Sequence, residues 1–184
     1  MADSHIRGVA ERLAIKLRSS FHATGYVKPN ANLNNITLSI KSEIRNFSKS
    51  DVVVLCGYKM EVARDNTMKW LSSILQYVKS SEHANVIIMD APHRFDLGAS
   101  SCVNKEVNAF NRKLNKTTEP YDHTTESNLN MQGEHFTKHG MHMNGSSMDS
   151  TLGFLTSRIM ELDVHEYVHR DTIMKVTNKM QLTG

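Results

Sequence analysis

Apolar residues along the chain fall into two rhythms. Ile6, Val9, Ala10, Leu13 and Leu17 recur at the spacing of one helix face and predict an amphipathic helix over 6–18. Leu33, Ile36, Ile40, Ile44 and Phe47 predict a second helix, with Asn32 as its cap. Met68, Leu71, Ile74, Leu75 and Val78 mark a third, capped by Asn66, and Val103, Val107, Phe110 and Leu114 a fourth. Leu152, Leu155, Ile159 and Leu162 predict a short last helix. The other rhythm is continuous. Asp51-Val52-Val53-Val54-Leu55-Cys56 and Val86-Ile87-Ile88-Met89 are β-branched runs bounded by polar residues, the pattern of strands buried on both faces. Tyr26-Val27 is a weaker strand signal, ended by Lys28-Pro29-Asn30.

Strand and helix alternate. That order predicts an α/β domain, a parallel sheet with helices on both faces in three layers. Ligands in such sheets bind beyond the carboxyl ends of the strands. The segments delivered there are 28–32, 57–63 and 90–100, together with Asp3-Ser4-His5 ahead of the first helix. A strand leading into Ser4 would occupy the sheet centre, but the sequence supplies none. The edge of the 52–55 strand is therefore expected to be unpaired and to drive self-association. Residues 115–132 are nearly free of apolar side chains and read as loop, and 133–147 as a His-rich loop. One domain over 1–162 and a polar tail over 163–184 are expected.

Composition narrows the classes. The 184 residues suit a single domain, and a net charge of +3 with scattered Lys and Arg gives nucleic acid only weak support as a partner. No stretch approaches the ~20 apolar residues of a membrane span. The N-terminal residues lack the apolar core of a secretory signal, and Cys56 and Cys102 form no framework. A reduced, cytoplasmic or otherwise intracellular setting is expected, with both cysteines as small buried residues.

Three groups of residues could carry chemistry. Ser4 before a helix N-terminus is either a nucleophile, with free helix N–H groups near a developing oxyanion, or simply the helix cap. His135, His139 and His142 could supply a general base to a nucleophilic serine, bind zinc, or be solvated loop residues. The intervening Gly140 argues against one regular helix face, so no metal is expected. His93 and Arg94, just beyond the second apolar run, could meet an anionic group. Alternatively, Arg94 pairs with Asp90 or Asp96.

The phrases ADSHIRGVA, TGYVKPNANL, KSDVVVLCG, NVIIMDAPHRFDL, SCVNKEVNAFNRKL and HFTKHGMHMN, in this order, resemble the SGNH (GDSL-type) hydrolase superfamily. The nearer likeness is to SGNH-like esterase domains of insect retroelement-derived proteins, and it covers roughly residues 2–160. The resemblance implies a flavodoxin-like three-layer α/β/α fold, truncated at its first strand, and serine ester hydrolysis without a cofactor. It implies Ser4 as nucleophile, preceded by Asp3, with Ala2 where Gly is usual. It implies an oxyanion hole at Asn30, Gly57 and Met60, where Asn30 replaces a Gly and where Met60, or Lys59 on another alignment, replaces the donor Asn. It implies His142 as base, with His139 in the place of the orienting Asp; a neutral His cannot supply that Asp charge. Substrate contacts would fall to His93 and Arg94.

Two further functions belong to other classes. A retroelement-derived, non-catalytic relict would keep the fold for binding or scaffolding. A nucleic-acid-associated module would show salt-dependent RNA binding. The replaced Gly, Asn and Asp favour the relict over an efficient catalyst, whose partner would be a small ester.

Overall fold

In the computed structural model, which describes residues 8–17, 21–26, 44–55, 64–127, 131–137, 143–162, 169–170 and 173–178, the two apolar runs are adjacent parallel strands. They are β2 (Val52–Leu55) and β3 (Asn85–Met89). Every side chain of β2 is wholly buried, as expected of a strand covered on both faces. Alternation sorts the strand residues cleanly between two cores. Val53, Leu55, Val86 and Ile88 face one core with α2 (Arg64–Ser80) and α3 (Cys102–Thr118). Val52, Val54, Ile87 and Met89 face the other with α1 (Val9–Leu17) and α4 (Gly145–Glu161). The three-layer α/β/α arrangement follows directly from this pattern.

The helices bury the stripes the spacing predicts, with one shift. On α1 the buried residues are Val9, Ala10, Leu13 and Leu17, and on α4 they include Leu152, Leu155 and Ile159. On α2 the buried face is centred on Trp70, Ile74, Tyr77 and Val78, and Met68 lies 49% exposed. That helix starts at Arg64, so Asn66 is inside it rather than at its cap. Cys102, expected to be buried, is an exposed thiol at the first residue of α3 because Ser101 takes the cap and aims the next residue outward.

Among the described residues the sheet has six strands in the order β4-β3-β2-β6-β1-β5. β1 is Phe21–Tyr26, beginning earlier than the Tyr26-Val27 signal. β4 (Thr124–Ser127) lies in a segment expected to be loop. Its Thr-Thr-Glu-Ser sequence gives no apolar signal because the strand is at the sheet edge and pairs only with β3. β5 (His169–Arg170) and β6 (Ile173–Asn178) lie in the segment expected to be a tail. Five strands point the same way, and β6 runs antiparallel between β1 and β2.

That insertion corrects the expected unpaired edge. β2 is bonded to β3 on one side and to β6 on the other, so it offers no free edge for self-association. Of the helix predicted over 33–47, residues 33–43 lie outside the described residues, and Ile44–Asn46 form a 3-10 turn. Among the described residues no helix is long and apolar enough to cross a membrane.

Candidate functional site at the carboxyl edge of the sheet

Three described segments meet at one end of the molecule. The loop 90–98 leaves the carboxyl end of β3. Its Phe95 ring packs on Phe136, with centroids 4.6 Å apart, in the loop that leads into α4. Phe136 and Met143 form an isolated antiparallel bridge, and the Asn144 N–H donates to His135 O at 3.0 Å. The start of α4 therefore stands beside the loop after β3. Arg12 in the first turn of α1 reaches Asp149 in the first turns of α4 at 3.9 Å, so the two helices begin at the same end.

The α4 entrance is locally over-determined. The Asn144 side chain accepts from Ser147 N at 3.0 Å and donates to the carbonyls of Glu134 at 2.6 Å and Phe136 at 3.4 Å. One residue thus caps the helix and ties the preceding 3-10 turn to it. Before that turn, the Gln132 N–H donates to His135 Nδ1 at 2.7 Å, which requires an unprotonated Nδ1.

The loop after β3 is held by a stripe of asparagines on α3. Asn104 Oδ1 accepts from Arg94 N at 2.8 Å, and its Nδ2 donates to the carbonyls of Arg94 at 2.9 Å and Gly98 at 3.1 Å. Asn111 accepts from Ala91 N at 3.0 Å and donates to Ala91 O at 2.9 Å. Asn108 Oδ1 lies 2.8 Å from His93 Nε2. Asn104, Asn108 and Asn111 stand at i, i+4 and i+7, one face of a helix. The sequence analysis overlooked this stripe although the spacing carries it. Asn104 is buried, Asn111 half-buried and Asn108 exposed, so the stripe flanks the apolar face, where amide side chains can satisfy the backbone groups of a packed loop.

Of the residues expected to form a site, His93 and Arg94 are described. Arg94 is spent on Asp96: Nε to Oδ1 is 2.7 Å and Nη2 to Oδ2 is 2.5 Å. The bond holds the Asp96 carboxyl below the ordinary carboxylate range and raises Arg94. The guanidinium is thus already matched to a carboxylate. Ser4, Asp3, Asn30, Gly57, Met60, His139 and His142 lie outside the described residues.

Two carboxylates close by carry perturbed protonation. Asp90, at the end of β3, donates its N–H to Ser127 Oγ at 2.9 Å. Its Oδ1 is sealed from water with no hydrogen-bond partner among the described residues, and burial pushes its pKa up to about 6. Glu126 on β4 is also raised, first by desolvation and then by the charges of Asp90 and Glu119. It accepts a short hydrogen bond from the Thr118 hydroxyl. Among the described residues no three His, Cys, Asp or Glu side chains cluster as metal ligands would.

No protein-family model, no curated protein and no solved structure matches this chain.

Proposed function

We propose that this chain is an SGNH-type serine ester hydrolase-like domain with attenuated activity. The supporting observation is that α1, the loop after β3 and α4 all begin or end at one edge of the sheet, tied by Arg12–Asp149 and Phe95–Phe136. Ser4 stands four residues before Gly8, which opens α1, and His142 immediately precedes the bridge residue Met143. Residues 56–63, with Gly57 and Met60, follow the carboxyl end of β2, and Asn30 follows that of β1.

In this reading the Ser4 hydroxyl attacks the acyl carbon of a small ester while His142 takes its proton. Backbone N–H groups of Ser4, Asn30 and Gly57 stabilise the oxyanion. His142 then protonates the departing alcohol, and a water deprotonated by His142 hydrolyses the acyl-enzyme. Met60 contributes no donor, and a missing donor costs about a hundred- to a thousandfold in rate. His139 contributes no negative charge to orient the imidazolium.

Restoring the two deficits tests the reading. Met60→Asn with His139→Asp raises hydrolysis of p-nitrophenyl acetate about a hundredfold or more, and Ser4→Ala removes the gain. A double variant with unchanged circular dichroism that stays at the Ser4→Ala rate contradicts it. The relict reading, a binding or scaffold module in an intracellular retroelement-derived protein, is favoured by the Arg94–Asp96 pair, which neutralises the cation expected to meet substrate.

A further inference from the structure

β4 is a strand without an apolar side chain. Among the described residues Thr124, Thr125, Glu126 and Ser127 pair with β3 alone, so burial of hydrocarbon does little to hold the strand. Hydrogen bonds hold it instead. Ser127, wholly buried, accepts from the Asp90 N–H at 2.9 Å. The Thr124 hydroxyl lies 2.8 Å from Tyr121 O and 3.1 Å from Thr118 O. Glu126 bonds to the hydroxyl of Thr118, the last residue of α3.

Thr118 has one hydroxyl proton and two claimants for it. It is 1% exposed, Leu114 O lies 2.9 Å from its Oγ1, and Glu126 Oε1 is within hydrogen-bond reach. When Glu126 is ionised both neighbours are acceptors, and one of them goes without the proton. A protonated Glu126 removes the conflict: its O–H donates to Thr118 Oγ1, and the Thr118 O–H donates to Leu114 O. The surroundings favour that state. The carboxyl meets the negative end of the α3 dipole. The charges that act on it, Asp90 from β3 and Glu119 from the cap of α3, share its sign. Asp90 stands two residues beyond Ile88, the register partner of Glu126, and so continues the same face. Among the described residues no ion pair reaches either carboxylate. On α3, Lys113 lies against Met68 Sδ and Lys116 is exposed. In the loop after β3, Arg94 is held by Asp96, and in the turn before β4 His123 Nε2 lies 3.1 Å from Val78 O of α2.

We propose that β4 is a proton-latched edge strand, in which protonated Glu126 donates to Thr118 and ionisation of Glu126 and Asp90 releases the strand from β3. Burial holds both carboxyls above their ordinary range, Asp90 at about 6, and release returns them to water. Between the ordinary and the raised values the closed strand therefore carries more protons than the open one. The latch is complete below the ordinary 3.8 of Asp90 and weakens as pH rises through about 6. In that window each carboxyl that ionises on opening raises the opening constant about tenfold per pH unit. Release also parts the Asp90 N–H from Ser127, at the root of the loop that carries His93 and Phe95. The inference does not depend on the hydrolase reading.

Amide hydrogen exchange of the full chain at pH 4.5, 5.5 and 6.5, corrected for the intrinsic rate, is the test. Protection of the β4 amides that bond to β3 is expected to fall about tenfold or more from pH 4.5 to 6.5, measured relative to Val53 and Val54 of β2. Glu126→Gln keeps a donor facing Thr118 at every pH and should remove most of that fall. Adding Asp90→Asn should hold the ratio within about twofold over the whole range. Carbon-13 titration of the parent's Glu126 carboxyl reads the latch without a variant and should turn over above the ordinary Glu range. The proposal is overturned if β4 keeps a constant ratio to β2 across these pH values, or if the double variant retains the parent's pH dependence. A Glu126 carboxyl that titrates in the ordinary range overturns it as well.

Discussion

Phe95 and Phe136 stack at 4.6 Å with their rings tilted by 35°, joining the loop after β3 to the loop before α4. Phe136 is 6% exposed, whereas Phe95 is half-buried, and a Cβ added at Gly133 would lie 3.4 Å from its ring. This contact ties the loop after β3 to the segment that leads into α4. Phe136→Ala is expected to cost about 3 kcal/mol and Phe95→Ala about 2 kcal/mol. A double-mutant cycle in urea should return a coupling of roughly 1 kcal/mol, and additive losses would show that the rings do not join the loops.

Asn104 makes three hydrogen bonds to loop backbone and Asn108 one contact to an exposed ring. Asn104→Ala strands one N–H and two carbonyls, so a loss of about 2–3 kcal/mol is expected. Asn108→Ala should stay within about 0.5 kcal/mol. Equal losses in urea denaturation would mean that the loop is held by something other than the α3 stripe.

Tyr77 is wholly buried on α2, and its hydroxyl has no hydrogen-bond partner among the described residues. Burial drives its pKa far above the usual phenol, so the group stays neutral, but its desolvation is uncompensated. Tyr77→Phe is therefore expected to raise stability by about 1 kcal/mol, against the usual direction for core substitutions. A loss of that size on thermal unfolding would reveal a partner for the hydroxyl.

Asp90 should make the protein less stable as pH rises. Its folded pKa of about 6 lies above the ordinary 3.8, so between those values the folded state holds more protons than the unfolded one. Stability then falls as pH climbs through that window, the reverse of a salt-bridged carboxylate. Glu126 is shifted in the same direction. Part of the Asp90 side chain meets water, which screens the penalty, so Asp90→Asn is expected to gain only about 1 kcal/mol above pH 6. Denaturation at pH 4, 5, 6 and 7 should show the gain growing with pH; a constant difference would place the perturbation elsewhere.

The sheet interior and its helices were legible because burial on two faces leaves a simple signature. Val52 to Leu55 and Val86 to Met89 have no polar interruption, and Leu13, Ile74, Phe110 and Leu155 recur at helical spacing. β4 was not legible, because an edge strand of Thr124, Thr125, Glu126 and Ser127 needs only backbone pairing. β6 was hidden because Lys175, Thr177 and Asn178 break the apolar run that marks an interior strand in sequence. Of the expected site, the pairing of Arg94 with a neighbouring Asp was legible from the spacing alone, and Asp96 is the partner. The asparagine stripe was readable but obscured by the apolar periodicity of the same helix.

The proposed function makes Ser4 an activated nucleophile. Incubation of the full chain with a fluorophosphonate probe, followed by peptide mapping, tests it most directly. The account predicts a single adduct on the peptide carrying Ser4, lost in Ser4→Ala and slowed about a hundredfold or more in His142→Ala. Absence of that adduct in a folded sample, or an adduct on any other residue, would contradict it.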